Sequence, residues 1–396
     1  MAAGCIVTIH GIGFEQAADD AKHQAGYADA LHSALRGELA KLGVTLGDDP
    51  ERAPRGGPVY VQSHWPPPSG SQERGLARLD RPLVGRESEL AHVALVYSGL
   101  ELLGPQPDVT MQLLGQTLLG AHRYAGPVSV LEMLFKDVLA QVHPGGEATE
   151  NAGEQRSLLV RPELRAAHQQ LLERLHLQPA EGAASDGGLL GVLRALENDV
   201  AAYVCRNSLR ERLRAFVRRS LLRLSPRADV PALIVNTHSQ GTVVGYDVLR
   251  DFSADERAKV RLLITAGSPL RKYVDLFSWG TEAGAVFGLP WLNLWDERDP
   301  VADPLDPANW QPGQAVTQPP DPQPGDTLFR SPADEQNATF PVRVDDRQVA
   351  NTQHSPSGAL RAHNYWDNEA QVIPQIASAV LDALHNRPPS GQPTAG

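Results

Sequence analysis

The sequence predicts an α/β fold, a mostly parallel central sheet with helices on both faces and a large helical insertion. Three observations predict it. Short apolar runs alternate with helix-spaced segments over the first hundred residues. The same alternation resumes after Pro226 and runs toward the C-terminus. Between them, about 104–224 carries apolar residues at helical spacing and little β character. Strands alternating with helices make a parallel sheet covered on both faces, and the middle block is too long for a single crossover.

Each element follows from its own signals. "CIVTIHGIG" is a short buried strand, Cys5 to Ile9, ending in a glycine-punctuated turn. "AGYADALHSALRGELAKLG" is amphipathic at helical spacing and stops at Gly43. "GPVYVQSHW" and "HVALVYSGLELL" are the next two strands, separated by the loop "PPPSGSQERG". Helices are expected at Leu113 to Tyr124, Val128 to Val142, Pro162 to Leu175 and Leu189 to Leu224, the last basic toward its C-terminal half, where cations suit the helix dipole. "ALIVNT", "VRLLITAGSPL" and "PWLNLWDERDPV" are strands, the last with a polar end, and "GTVVGYDVLRDF" is a helix. A Pro-, Asp- and Gln-dense loop spans Asp303 to Pro332. "FPVRVDDRQVANT" is expected as the final strand and "NEAQVIPQIASAVLDALHN" as the closing helix, despite Pro374. The expected organisation is a discontinuous core, 1–103 with 225–388. The insertion is 104–224, its last helix returning to the core, and 389–396 form a loose tail.

Composition narrows the function classes. The chain has 396 residues, 41% of them hydrophobic, enough for a substantial core. A net charge of −11 argues against a nucleic-acid binder, which needs a basic face to displace counterions. Two cysteines, Cys5 and Cys205, cannot make a disulfide framework and point to reduced thiols. "MAAGCIVTIHGIG" lacks the regions of a signal peptide, and no apolar run is long enough to span a bilayer. The expectation is a soluble, cytoplasmic protein. Association with a lipid surface is left open, and nothing in the sequence sets an oligomeric state.

The chemistry concentrates at "LIVNTHSQGTVVGYDVLRDF", where a strand gives way to a helix at Ser239. Small residues two either side of a serine, between a strand and a helix, make a nucleophile-elbow pattern, here Thr237-His238-Ser239-Gln240-Gly241 with threonine at the usual first glycine. Such a turn lifts the hydroxyl off the sheet and aims the helix's first N–H groups at the same point, which suits a developing oxyanion. The plainer alternative is that Ser239 caps the helix.

A serine hydroxyl needs a base, and the base an orienting acid, both expected downstream. The acid candidates are Asp296, Asp299 and Asp303. Asp299 is preferred because Pro300 and Val301 place it on a rigid turn beyond the strand. The base candidates are His363 and His354. His363 is preferred, in a loop just before the C-terminal helix, with Tyr365 and Trp366 expected to pack beside it. Backbone N–H groups of Ile12, after the first strand, and Gln240 are the expected oxyanion hole, and His10 is expected to be structural.

With these pieces in order the chain resembles the α/β-hydrolase superfamily, within it the class 3-type serine lipases and esterases. The residues that carry the resemblance are His10-Gly11, His238-Ser239-Gln240-Gly241, Gly267-Ser268-Pro269, Asn293 with Asp299-Pro300-Val301, and His363. The resemblance covers 1–15 and 228–385 and barely touches the helical block. It implies ester hydrolysis through an acyl-enzyme on a Ser239, Asp299, His363 triad. The substrate would be a small ester or lipid-like acyl compound, with no metal and no organic cofactor. Thioesterase and peptidase activity on the same residues stay open, as does an inactive binding or scaffold protein. The leucine-rich faces of "MQLLGQTLLGAH" and "VLEMLFKDVLAQV" either border the serine as a substrate-selecting cap or pack on the sheet.

Overall fold

The computed structural model describes residues 4–11, 17–64, 75–86, 89–98, 207–270, 289–299, 301–302, 304–305, 344–351 and 362–385. Among them seven strands form one sheet: β1 (Cys5–Ile9), β2 (Val59–His64), β3 (Ala91–Ser98), β4 (Leu233–His238), β5 (Val260–Ala266), β6 (Trp291–Trp295) and β7 (Asp345–Gln348). Their order is β2-β3-β1-β4-β5-β6-β7, and every pairing is parallel. The helices are α1 (Asp29–Lys41), α2 (Asn207–Leu224), α3 (Gln240–Arg250), the short α4 (Ala254–Arg257) and α5 (Val372–Leu384).

A strand sends alternate side chains to opposite faces, so a sheet covered on both sides needs apolar residues at every position. β1 and β4 are buried along their whole length, apolar except at Thr8 and at the carboxyl end of β4, where Asn236, Thr237 and His238 are buried polar residues. Cys5, Val7 and Val235 pack with Val217 and Leu221 of α2 and Val243 of α3 in one core. Ile6, Ile234 and Ile264 point the other way, into a second core with Leu31, Leu35 and Leu39 of α1 and Ile376 of α5. Leu31, Leu35 and Leu39 recur every four residues, one stripe of a helix that ends as Gly43 turns the chain at φ 78°.

Two elements differ from expectation. The closing helix begins at Val372, which puts Pro374 in its first turn, where the missing N–H breaks no helical bond. The final strand is only Asp345–Gln348, a polar edge strand held by β6 on one side. Of the insertion, α2 is described and packs against α3. The expected helices at Leu113 to Tyr124, Val128 to Val142 and Pro162 to Leu175 lie outside the described residues, as do 189–206 of the expected Leu189 to Leu224 helix, Ile12, Asp303, His354 and the tail. Among the described residues no helix is long and apolar enough to cross a membrane.

The strand order reverses direction between β1 and β4. In open parallel sheets that reversal opens a crevice at the carboxyl ends of the two strands, and ligands bind there.

Candidate active site

Ser239 sits at that crevice, between the end of β4 and the start of α3. Its backbone lies at φ 53°, ψ −130°, a region left almost entirely to glycine. The neighbours hold it there. Its N–H donates to the Ala266 carbonyl at 3.0 Å, and its carbonyl accepts from the N–H of Thr242 at 2.9 Å. The Thr242 hydroxyl donates to the same carbonyl at 2.7 Å and stands 3.0 Å from the hydroxyl of Ser268. The Ser239 side chain makes no capping bond to α3, so the helix-cap alternative does not describe it. The backbone N–H of Gln240 is the first of α3 and has no acceptor within the helix.

The glycines around Ser239 are there for close approach. A Cβ on Gly11, just past β1, would lie 2.3 Å from Cβ and 2.9 Å from Oγ of Ser239. A Cβ on Gly241 would lie 2.4 Å from the His10 carbonyl oxygen. Thr237, the departure from the elbow pattern, donates its hydroxyl to the Ile264 carbonyl at 2.7 Å. A Cβ on Gly245 would sit 2.8 Å from its methyl group, so α3 approaches the strand closely because position 245 is glycine.

His10 braces the turn after β1. Its Nε2 accepts from the N–H of Tyr97 at 3.1 Å, its Nδ1–H therefore donates to the Gly11 carbonyl, and the ring stacks on Tyr97 at 4.0 Å. Burial lowers its pKa to about 4 against the pull of those bonds, so it stays neutral.

The expected acid and the expected base meet from different loops. Asp299 follows β6 and His363 precedes α5. His363 Nδ1 lies 2.8 Å from Asp299 Oδ2. A carboxylate only accepts, so Nδ1 carries the proton, and the lone pair of a neutral ring is on Nε2. That Nε2 is buried and has no hydrogen-bond partner among the described residues. Asp299 is 3% exposed and also accepts from the Tyr365 hydroxyl at 2.9 Å and the Val301 N–H at 2.9 Å. Burial raises its pKa, but the neighbouring His363 and these hydrogen bonds lower it by more, so the carboxyl lies below its ordinary value. Asp296 is occupied elsewhere. It accepts from Arg298 at 2.7 Å and from the Asn351 N–H at 2.6 Å.

His363 stands over the turn after β5, where a Cβ on Gly267 would lie 2.9 Å from its Cε1. His238, immediately before Ser239, ties the serine's strand to the histidine's loop. Its Nε2–H donates to the His363 carbonyl at 2.8 Å, with ring centroids 4.7 Å apart. Burial, then the proximity of the His363 ring, brings its pKa to about 3. Gly11, Ser239, Gly267 and Asp299 thus follow the carboxyl ends of β1, β4, β5 and β6 in turn. His363 lies against Gly267 and Asp299, and no hydrogen bond joins its Nε2 to the Ser239 hydroxyl. Sequence reasoning did not assign the bracing by His238, Thr242 and Ser268. The motif residues flagged their neighbourhood, but their partners come from other strands. Among the described residues no three His, Cys, Asp or Glu side chains converge as a metal would need.

Comparison with family models, with curated proteins and with solved structures finds no match to this chain.

Proposed function

We propose that the chain is a serine hydrolase of α/β-hydrolase fold that cleaves a carboxylic ester, with Ser239 as nucleophile, His363 as base and Asp299 as the orienting acid. The observation that carries the reading is the Asp299–His363 pair. It fixes the imidazole proton on Nδ1 and leaves a buried, unpartnered Nε2 at the same end of the sheet as a serine in strained backbone geometry. His10, by contrast, has a partner on each ring nitrogen.

In this mechanism Ser239 Oγ attacks the ester carbonyl as its proton passes to His363 Nε2, and Asp299 stabilises the imidazolium. The tetrahedral oxyanion is received by backbone N–H groups, Gln240 from the start of α3 and Ile12 from the loop after β1. His363 returns the proton to the leaving alcohol. A water then gives its proton to His363 and attacks the acyl-enzyme, and the acid is released as Ser239 recovers its hydrogen. The substrate in this reading is a small ester or a lipid-like acyl compound. The close approach of Gly245 to Thr237 gives the threonine room in the turn, which supports an elbow of ordinary geometry.

A fluorophosphonate probe is expected to label the wild type and not Ser239→Ala. Labelling of both, or of neither, defeats the reading. A panel of p-nitrophenyl esters of graded length, run beside thioester and amide analogues, then assigns the bond and the depth of the pocket.

A further inference from the structure

We propose that Tyr365 is a positioning residue for the acid–base pair: its buried hydroxyl holds the Asp299 carboxylate in line for His363 and takes a share of that carboxylate's charge. The inference rests on the triad reading above.

The geometry leaves the hydroxyl one role. Tyr365 is fully buried, and its oxygen accepts from the Asp296 N–H at 2.9 Å, so its single proton is directed to Asp299 Oδ2, 2.9 Å away. That oxygen is the one His363 uses, at 2.8 Å. Two donors from different loop positions converge on Oδ2 while the Val301 N–H takes Oδ1 at 2.9 Å, and the carboxylate cannot swing without breaking one of them. Burial pushes the phenol well above its ordinary value, so it remains a neutral donor at every working pH.

The ring and the hydroxyl do different jobs. The ring fills the space over Gly267, where a Cβ would lie 2.8 Å from its Cε2, and it meets His363 edge-on at 6.3 Å. Phenylalanine keeps that packing and removes only the donor. Without it Oδ2 faces the imidazole with its charge undivided, which favours the imidazolium, and the carboxylate gains a freedom of rotation that costs alignment.

The test is Tyr365→Phe. The expected result is a kcat lower by about tenfold with KM little changed, together with an acid limb of the kcat/KM profile displaced to higher pH. A purely structural role would lower the melting temperature and leave the limb where it was. A second readout does not need turnover: the His363 Nδ1–H proton resonance is expected to move downfield in the variant. An unmoved limb together with an unmoved resonance overturns the proposal. If the variant does not fold, the wild type decides. A slowly exchanging Tyr365 hydroxyl proton with a nuclear Overhauser contact to the His363 Nδ1–H supports the proposal, and the absence of that contact overturns it. Should the wild type hydrolyse nothing, the hydrolase reading fails alone, and the two proton measurements still decide what Tyr365 does to Asp299.

Discussion

At the scale of single residues, the site stores strain in one place and spreads its satisfaction over many. Ser239 holds a conformation that costs a non-glycine residue about 1–3 kcal/mol. Glycine adopts it freely but gives up more chain entropy on folding, about 0.5–1 kcal/mol. Ser239→Gly is therefore expected to melt higher than Ser239→Ala, both without probe labelling, by about 1 kcal/mol in unfolding free energy. Parallel thermal melts check it, and a glycine variant that melts below the alanine variant would contradict the strain. The aspartates make a second contrast. In the sequence Asp296 and Asp299 are both acid candidates in a polar run after a strand, and Asp299 is preferred only for the rigid turn that follows it. What separates them in the structure is which long-range partner each meets, Asn351 or His363, and no local pattern encodes that. Asp299→Asn is expected to lower kcat by about 10³–10⁴-fold. Asp296→Asn is expected to change kcat by less than about tenfold, and to lower stability by about 1–3 kcal/mol through the loss of its charged partner. Ester turnover and urea unfolding of the two variants read both effects, and equal losses of kcat would show that the carboxylates are not divided as described.

At the scale of elements, the basic face of α2 is a ladder to its neighbours. Arg210 grips Asp247 of α3 with two bonds at 2.8 and 2.9 Å, Arg214 pairs with Asp251, and Arg218 pairs with Glu256 of α4. Asp247 is fully buried, so its charge depends on those arginines. Arg210→Ala leaves Asp247 with Arg214 at 3.4 Å and Arg250 at 3.8 Å, weaker partners, and is expected to destabilise by about 1–3 kcal/mol. Urea denaturation measures it, and Arg210→Ala combined with Asp247→Asn should lose less than the two singles summed. The sequence shows why only half of this is legible. A basic amphipathic helix is visible from spacing alone, and the basic residues fit the helix dipole. That they face Asp247, Asp251 and Glu256 is a fact of helix docking. The strands were legible for the opposite reason: β1, β5 and the first half of β4 are mostly apolar, as burial on two faces favours. β7, with four polar residues, carries no such signal, and its extent comes from pairing with β6. The turn at Ser239 and the position of His363 before α5 were readable because a strand-to-helix turn and a loop before a helix leave local marks.

At the scale of the whole molecule, the fold encloses a set of histidines that it keeps neutral. Besides His10 and His238, a polar chain runs under α1. Asn236 donates to the Thr8 hydroxyl at 3.3 Å, Thr8 meets His92 Nε2 at 2.8 Å, His92 meets His32 at 3.2 Å, and His32 reaches Asp48 at 3.1 Å. Read outward from Asn236, each group donates to the next, which requires one proton on each ring. Burial lowers His32 to about 4 even with Asp48 beside it, and it carries His92 well below the ordinary value, helped by the facing His32. In the unfolded chain the four histidines protonate near the ordinary 6.5. Between that value and about 4 the unfolded state therefore binds more protons than the folded one, and stability falls as pH falls. His10 and His32 alone each account for about 2–3 kcal/mol over that window, against a total stability of order 5–15 kcal/mol for a typical protein. The four residues lie on β3, on β4, on α1 and just past β1, so they belong to one cooperative unit. The expected outcome is a urea midpoint that is flat above pH 7 and drops steeply from pH 6.5 to 5, with a slope that approaches an uptake of about four protons on unfolding. The depressed carboxyl of Asp299 adds its own loss only further down, below the ordinary carboxylate range. A midpoint that stays level between pH 6.5 and 5 would mean that these rings are hydrated or charged in the folded protein, and that the chain from Asn236 to Asp48 does not hold as described.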